Sequence, residues 1–357
     1  MNVANKRVFD TLVPEVNLRI NGNDLSLDAE SDLIAVSVLE DVDAAGMFTF
    51  SLLSWDNKKM RVIWIDDDQF KEGNSVEIDM GYRDNMKNLF KGEITGLEPE
   101  FPNDQSPTLT VTGYDRRHRL MGRRKTRTFL KMKDSEIAGQ IAGDWSLSPD
   151  VEDTRVTLDY VLQHNQTDFE FLQERARRIG YEMVVTDSSL HFRPRKSDGS
   201  AVLTLSRDVE LLDFSARLTT MGQVEEVCVQ GWNAKDKKEV VAKSSIGDER
   251  QMGGSASGPA ATRKAFSGTG GTAVDTPVLS QAEADQLVQG WFGEMALSYV
   301  EGHGTCIGEP ELRAGTLVQI EGLGKRFSGS YYVTSTEHSY RPKVGYRTVF
   351  DVRRNAT

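Results

Sequence analysis

Period-two alternation recurs at both ends of this chain and fails in its middle. Glu15-Val16-Asn17-Leu18-Arg19-Ile20, Ser75–Met80 and Thr108–Thr112 alternate polar and apolar residues, the pattern of half-buried strands. Leu33–Leu39 and Phe48-Thr49-Phe50 are rich in β-branched, aromatic and aliphatic residues. Strand-like stretches return at 224–232, 238–244, Thr316–Ile320, Tyr331–His338 and Tyr346–Arg353. Turn residues such as Asn21-Gly22 separate the runs. Short strands at this spacing predict a β-barrel or sandwich in each half.

The middle follows a helical period. Asp134 is placed to cap a helix carrying Ile137 and Ile141 on one face. Thr167-Asp168-Phe169-Glu170 has capping-box spacing, Phe169, Leu172, Ala176 and Ile179 follow at helical intervals, and Gly180 sits where a C-terminal cap belongs. Residues 181–193 read as a hairpin. The segment 245–279 is rich in Gly, Ser, Ala and Thr and is expected to be a flexible loop. Ser280-Gln281-Ala282-Glu283 opens a helix over 280–299 with Leu287, Trp291 and Met295 on one stripe, weakened by Gly290 and Gly293 at roughly 1 kcal/mol each. The expected class is α+β, β-dominated: a β-barrel-like unit over 1–115, a small α/β insert over 116–206, and a second β-barrel-like unit over 207–357. No short tandem repeat is visible, but two β segments around an insert form a coarse internal duplication.

Composition narrows the function. The 357 residues are 38% hydrophobic with 31 glycines, enough for a full core. No apolar run approaches the ~20 residues of a membrane-spanning helix. The N-terminus has no apolar leader, and Cys228 and Cys306 make no disulfide framework, so a reducing compartment is expected. Net charge is −11, which disfavours a general nucleic-acid binder. The charge is uneven, however. Residues 116–133 hold six Arg, three Lys and no acid, leaving 34 basic against 54 acidic residues elsewhere. Arg116, Arg117, Arg119, Arg123, Arg124, Lys125 and Arg127 are therefore candidate contacts to an acidic protein partner, including another copy of the chain. A solvated loop and a nucleic-acid patch are the other readings of this run.

Motifs for catalysis are missing. There is no Gly-x-Ser-x-Gly and no His-Glu-x-x-His. His303 and Cys306 are two potential ligands where structural zinc wants four. Asp66-Asp67-Asp68 lacks the glycine and distal glutamate of a calcium loop, and 267–272 lacks the lysine of a phosphate loop. The five tryptophans read as core or interface anchors rather than a sugar platform. No catalytic, cofactor or metal site is assigned, which favours a structural or assembly role.

Several stretches resemble one family. Gly113-Tyr114-Asp115-Arg116-Arg117-His118-Arg119-Leu120, Arg123–Phe129 and Asp134-Ser135-Glu136-Ile137-Ala138 are similar to the late control protein D family of contractile phage tails. Asp168–Leu172, Glu174-Arg175-Ala176 and Ile179–Glu182 resemble that family and its VgrG relatives of type VI secretion. So do Gly308–Leu312, Gly315, Gly322-Leu323-Gly324, Phe327-Ser328-Gly329, Tyr332-Val333, His338, Gly345–Thr348 and Val352–Asn355. The ordered set covers about 14–355. It implies a baseplate hub of a contractile phage tail-like injection system: a homotrimer whose two tube domains per chain adapt a sixfold inner tube to a threefold spike. It further implies assembly in the bacterial cytoplasm, with inner tube or tube-initiator proteins and baseplate wedge proteins as partners and without cofactor or enzymatic turnover. VgrG-type chains continue into an OB-fold and spike, and this sequence ends at Thr357, so the spike is expected as a separate protein with an OB-fold. The alternatives are the hub of a true contractile phage and a particle-associated cell-wall hydrolase.

Overall fold

A computed structural model describes residues 13–83, 85–196, 199–266, 270–275 and 277–357. The N-terminal residues 1–12, read above for a leader, lie outside the described residues. Strand outweighs helix by 48% to 19%, so β dominates. No helix among the described residues is long and apolar enough to cross a membrane.

The coarse duplication becomes specific in the strand connections. The first half runs Leu33–Asp41, Met47–Leu53, Ser75–Tyr82, Asn85–Glu100 and Thr108–Tyr114. The second runs Leu211–Leu218, Val300–Ile307, Leu317–Glu321, Gly329–Arg341 and Gly345–Arg354. In each half the first strand pairs with the second, the second with the fifth, the fifth with the fourth and the fourth with the third, always antiparallel.

The irregularities repeat as well. The first strand of each half has a register shift directly after its first residue, between Leu33/Ala35 and between Leu211/Asp213. The fourth strand shifts between Ile94/Gly96 and between Val333/Ser335. Gly73 (φ 87°) and Gly315 (φ 81°) make the same left-handed turn into the third strand, a conformation that favours glycine. Each donates its N–H to the residue before the fourth-strand shift, Ile94 at 2.8 Å and Val333 at 2.9 Å. The sequences Gly73-Asn-Ser-Val-Glu-Ile78 and Gly315-Thr-Leu-Val-Gln-Ile320 are a short trace of this duplication.

The halves join edge to edge. The fourth strand of the second half pairs with the first strand of the first, from Ser335↔Asp41 to Tyr340↔Val36. One sheet thereby crosses both halves. Its inner face buries Phe48, Phe50 and Ile78, packed with Phe70 of the 68–70 turn, in one core and Tyr331, Val333 and Phe350 in the other. In the second half Phe214 lies across Gly302 and Gly304, where a Cβ would come within 2.5 and 2.8 Å of its ring. Opposite positions Ser37, Thr49 and Thr112 share the outer face. An apolar inner face with a polar outer one explains the alternation seen in the sequence.

The middle segment has its own core of Ile137, Ile141, Phe171, Leu172 and Phe192. Helices Asp134–Asp144 and Asp168–Arg178 pack with a three-stranded sheet and a two-stranded ribbon, Lys125–Met132 against Leu158–Gln166. The Thr167/Glu170 capping box forms at 3.1 and 3.0 Å. Asp134, expected as a cap, is instead the first residue of its helix and is paired with Arg175.

A second excursion leaves the body between Leu211–Leu218 and Val300–Ile307. Strands Glu226–Asn233 and Lys238–Ser245 pack under helix Gln281–Leu297, around Val229, Leu287 and Phe292. The segment 245–279, expected as a loop, contains helix Gly258–Ala265 and strand Gly271–Asp275, which pairs parallel with Glu226–Asn233. Ser257 caps that helix, and Ser255 N–H reaches the Thr357 carbonyl at 2.8 Å. Small residues read as loop by composition, yet Ser257 and Pro259 serve here as cap and first-turn residues. Positions 267–269, within the glycine-rich stretch, and 276 lie outside the described residues. Gly290 is needed where it stands: a Cβ there would meet Arg178 O and Gly180 N at 2.7 Å. Gly293 has nothing within 4 Å, and the structure gives no reason for it.

Candidate functional site

The joint between the halves is held by charge as well as by the sheet. Arg313 Nε donates to Glu40 Oε2 at 2.6 Å, and its other nitrogens reach the carbonyls of Asn88 and Leu89. Burial opposes ionisation of Glu40, but Arg313 outweighs it and holds the carboxyl below its usual range. His338 is fully buried on the adjoining strand. Its Nε2 lies 3.0 Å from the Leu312 carbonyl and its Nδ1 2.7 Å from the Tyr346 hydroxyl. A carbonyl only accepts, so Nε2 carries the proton and Nδ1 accepts from Tyr346. Burial lowers the His338 pKa to about 4, keeping the ring neutral.

Two further features concern His303 and Cys306. His303 and Cys306 stand on opposite faces of strand Val300–Ile307, one exposed against Asp351 at 2.8 Å and the other buried. They do not converge on one ion. Burial raises the Cys306 thiol pKa, so it is a packing residue rather than a nucleophile. Among the described residues no group of three or more His, Cys, Asp and Glu converges as a metal site.

Most of the basic run is engaged within the chain. Arg117 is 3% exposed; its Nε donates to Asp115 Oδ2 at 2.8 Å and its Nη1 to the Asp41 carbonyl at 2.9 Å. Arg119 clamps Glu93, with Nε to Oε2 at 2.9 Å, and Arg116 stands 3.8 Å from the same carboxylate. Lys125 and Arg127 converge on Asp168, at 2.6 and 2.8 Å. That carboxylate is fully buried at the start of its helix and also accepts from Trp145 Nε1 at 2.8 Å and Gln163 Nε2 at 3.0 Å. Burial works against its charge, but Lys125, Gln163, Trp145 and Arg127 together hold its pKa low. Arg124 is exposed and reaches Glu170 at 2.8 Å; Arg123 is exposed. The structure therefore gathers Lys125 and Arg127 at one acid, Arg116 and Arg119 at another, and leaves Arg123 and Arg124 at the surface. The partners are acids 2 to 46 residues away, invisible to a count of local charge.

An open cleft of about 820 Å³ runs where the middle segment meets helix Gln281–Leu297. Asp43, Arg177, Trp291, Glu294 and Arg353 line it. Arg177 pairs with Asp43 at 3.2 Å and Arg353 with Glu294 at 3.3 Å. Nearby, the buried Tyr332 hydroxyl donates to Glu182, whose other oxygen accepts from Arg193 Nε at 2.9 Å. Ion pairs and packing thus fix the middle segment to the body. The chemistry on offer is recognition and positioning.

The fold is that of phage tail proteins. The 43 kDa tail protein of prophage MuSo2 from Shewanella oneidensis superposes with a TM-score of 0.70 at 14% identity, over 96% of this chain and 98% of that one. A tail protein from Neisseria meningitidis MC58 gives 0.69 at 13%, over 96% of each. An Escherichia coli component of the type VI secretion system, described as structurally similar to the T4 bacteriophage tail proteins gp27 and gp5, gives 0.59 at 12% over 94% and 76%. The family model described as the Alg8 N-terminal domain matches residues 11–341, and the chain belongs to that family. No curated protein matches the sequence.

Proposed function

We propose that this protein is the baseplate hub of a contractile phage tail-like injection particle, acting as a homotrimer that adapts a threefold spike to a sixfold inner tube. The observation that carries this reading is the duplication with its edge-to-edge joint. Two similar units per chain make six in a trimer, the arrangement that converts threefold into pseudo-sixfold symmetry. The polar face shared by Ser37, Thr49 and Thr112 lines the channel, with Glu98, Glu337 and Asp351 among its charges. Residues act by shape and packing, without turnover or cofactor.

The tail-protein fold supports this reading, as does the description of the E. coli neighbour as a type VI secretion component similar to gp27 and gp5. A Francisella VgrG in complex with PdpA shares the fold at a TM-score of 0.52 and 9% identity, this chain spanning 54% of that one. The spike is then a separate protein with an OB-fold, and tube or tube-initiator and baseplate wedge proteins complete the contacts, with assembly in the bacterial cytoplasm. Arg123 and Arg124 face one of these neighbours. The prophage origin of the Shewanella neighbour favours a second reading, the hub of a true contractile phage. Co-expression with spike and tube proteins tests the role. A particle containing three copies of this chain at the tube–spike junction supports it, and a monomer that joins neither partner refutes it.

A further inference from the structure

Within the chain, the joint uses the fourth strand of the second half and the first strand of the first half. The duplication supplies a second copy of each edge, and neither takes part in a joint of this kind among the described residues. The Leu211–Leu218 strand ends the sheet; apart from a bridge from Leu211 to Arg207, it pairs among the described residues only with Val300–Ile307. The Asn85–Glu100 strand pairs with its third-strand neighbour only through Glu93, with Ile94 bound to the Gly73–Asn74 turn. Beyond Ile94 it has Thr108–Tyr114 on one side and an open edge on the other.

Because the register shifts coincide, equivalent positions can be assigned residue by residue. Ser335, Glu337 and Tyr340 correspond to Gly96, Glu98 and Phe101. Val36, Ser37 and Leu39 correspond to Phe214, Ser215 and Arg217.

We propose that the open Gly96–Phe101 edge of one copy pairs antiparallel with the Leu211–Thr219 edge of the next copy, in the register of the internal joint, placing Glu98 opposite Arg217. The inference rests on the multimeric reading above and adds the surface through which copies meet. Transferring Glu337↔Leu39 and Ser339↔Ser37 gives Glu98↔Arg217 and Glu100↔Ser215. Transferring Tyr340↔Val36 brings the exposed Phe101 onto Phe214. The internal joint has a Ser37 Oγ donation to Glu337 at 3.0 Å; the same residue types, Ser215 and Glu98, stand at the equivalent places.

Charge complementarity favours a second copy as the occupant. Glu98 and Arg217 are exposed, and neither has an ion-pair partner among the described residues. On the core side, where the internal joint has Thr336 opposite Glu40, the new joint has Leu97 opposite Leu218, both half-buried at the rims of the two cores. The match is head-to-tail: each copy offers one edge of each kind, so the contact propagates, and a 120° turn per copy closes three copies into a ring. Pro99 lacks an N–H, and its place beside Leu109 requires that its nitrogen face the open edge. The new ladder therefore lacks that one donor and is weaker than the internal joint.

Disulfide trapping tests this. In the internal joint Val42 N–H donates to the Thr334 carbonyl, so Glu337↔Leu39 and its counterpart Glu98↔Arg217 are non-hydrogen-bonded pairs. Their Cα atoms lie ~4.5 Å apart, within disulfide reach. The full chain carrying C228S, E98C and R217C should cross-link into covalent multimers under mild oxidation, at least roughly tenfold more than C228S/E98C/D213C, whose second site is out of register. The cysteine-free check is a charge swap: E98R or R217E alone should weaken association roughly two- to fivefold, and E98R/R217E together should restore it. Multimers that neither cross-link above the control nor respond to the swap overturn the interface and leave the hub reading standing. This is the outcome expected if Pro99 and the edge charges merely keep a solvated strand unpaired. A protein that stays monomeric at every concentration, alone and beside its spike and tube partners, overturns both.

Discussion

Glu40 and Arg313 are 273 positions apart in sequence, yet Arg313 Nε donates to Glu40 Oε2 at 2.6 Å where the two halves of the sheet meet. The same guanidinium reaches the carbonyl of Asn88 at 3.2 Å on the first half's fourth strand. One side chain therefore binds both units. Arg313→Ala leaves a half-buried carboxylate unpaired and should lower stability by about 2–3 kcal/mol. Urea denaturation measures it; an unchanged midpoint contradicts the structural role of the pair.

Asp168 makes a sharper case, because it is fully buried and binds two cations. Asp168→Ala strands Lys125, leaves Arg127 only Asp144 and Gln163, and should cost about 3–5 kcal/mol. Arg123→Ala at the exposed end of the same run should stay within about 0.5 kcal/mol. Equal effects of the two substitutions would show that the run is not organised as described.

The reach of sequence reading is clear from these two sites. Alternation is local, so the strands around Leu18, Ile78 and Val111 were legible, as were the Thr167/Glu170 box and Gly180. Pairing across the joint is not local: nothing near Glu40 announces Arg313. The basic run shows the same limit, since composition adds charges without pairing them. Lys125–Met132 was hidden as a strand by its Arg and Lys residues, and Leu211–Leu218 by Asp213, Ser215 and Arg217, which suit an open edge rather than a core. The duplication was visible only as β content at both ends, because its repeats are connections and register shifts with almost no shared residues.

Acid should weaken the joint. The folded pKa of His338, about 4, lies below the ~6.5 of an unfolded histidine, so the unfolded state binds the proton first as pH falls. Stability should be level above pH ~6.5 and drop through the window down to about 4, by about 3 kcal/mol from this group. Glu40 and Asp168, both held low, add a further loss as pH falls below the ordinary carboxylate range. His338→Gln should flatten the first part of this profile. A wild-type curve already flat between pH 4 and 6.5 would contradict the buried neutral ring.

The two glycines of helix Gln281–Leu297 should respond oppositely. Gly290→Ala drives a Cβ into backbone atoms of Arg178, Ile179 and Gly180 at 2.7 Å and should cost about 1–3 kcal/mol. Gly293→Ala meets nothing and should stabilise by up to about 1 kcal/mol. Thermal melts of the two variants check it; shifts of the same sign would refute the packing of this helix against the middle segment.

The central claim is that two units per chain build a ring of six from three chains. End-on cryo-electron microscopy of the purified chain with its spike and tube partners measures it most directly. Threefold averages containing six similar units around a channel, with a mass of three chains, are the expected result. A chain that stays monomeric beside those partners, or a ring closed by a number of chains other than three, would contradict it.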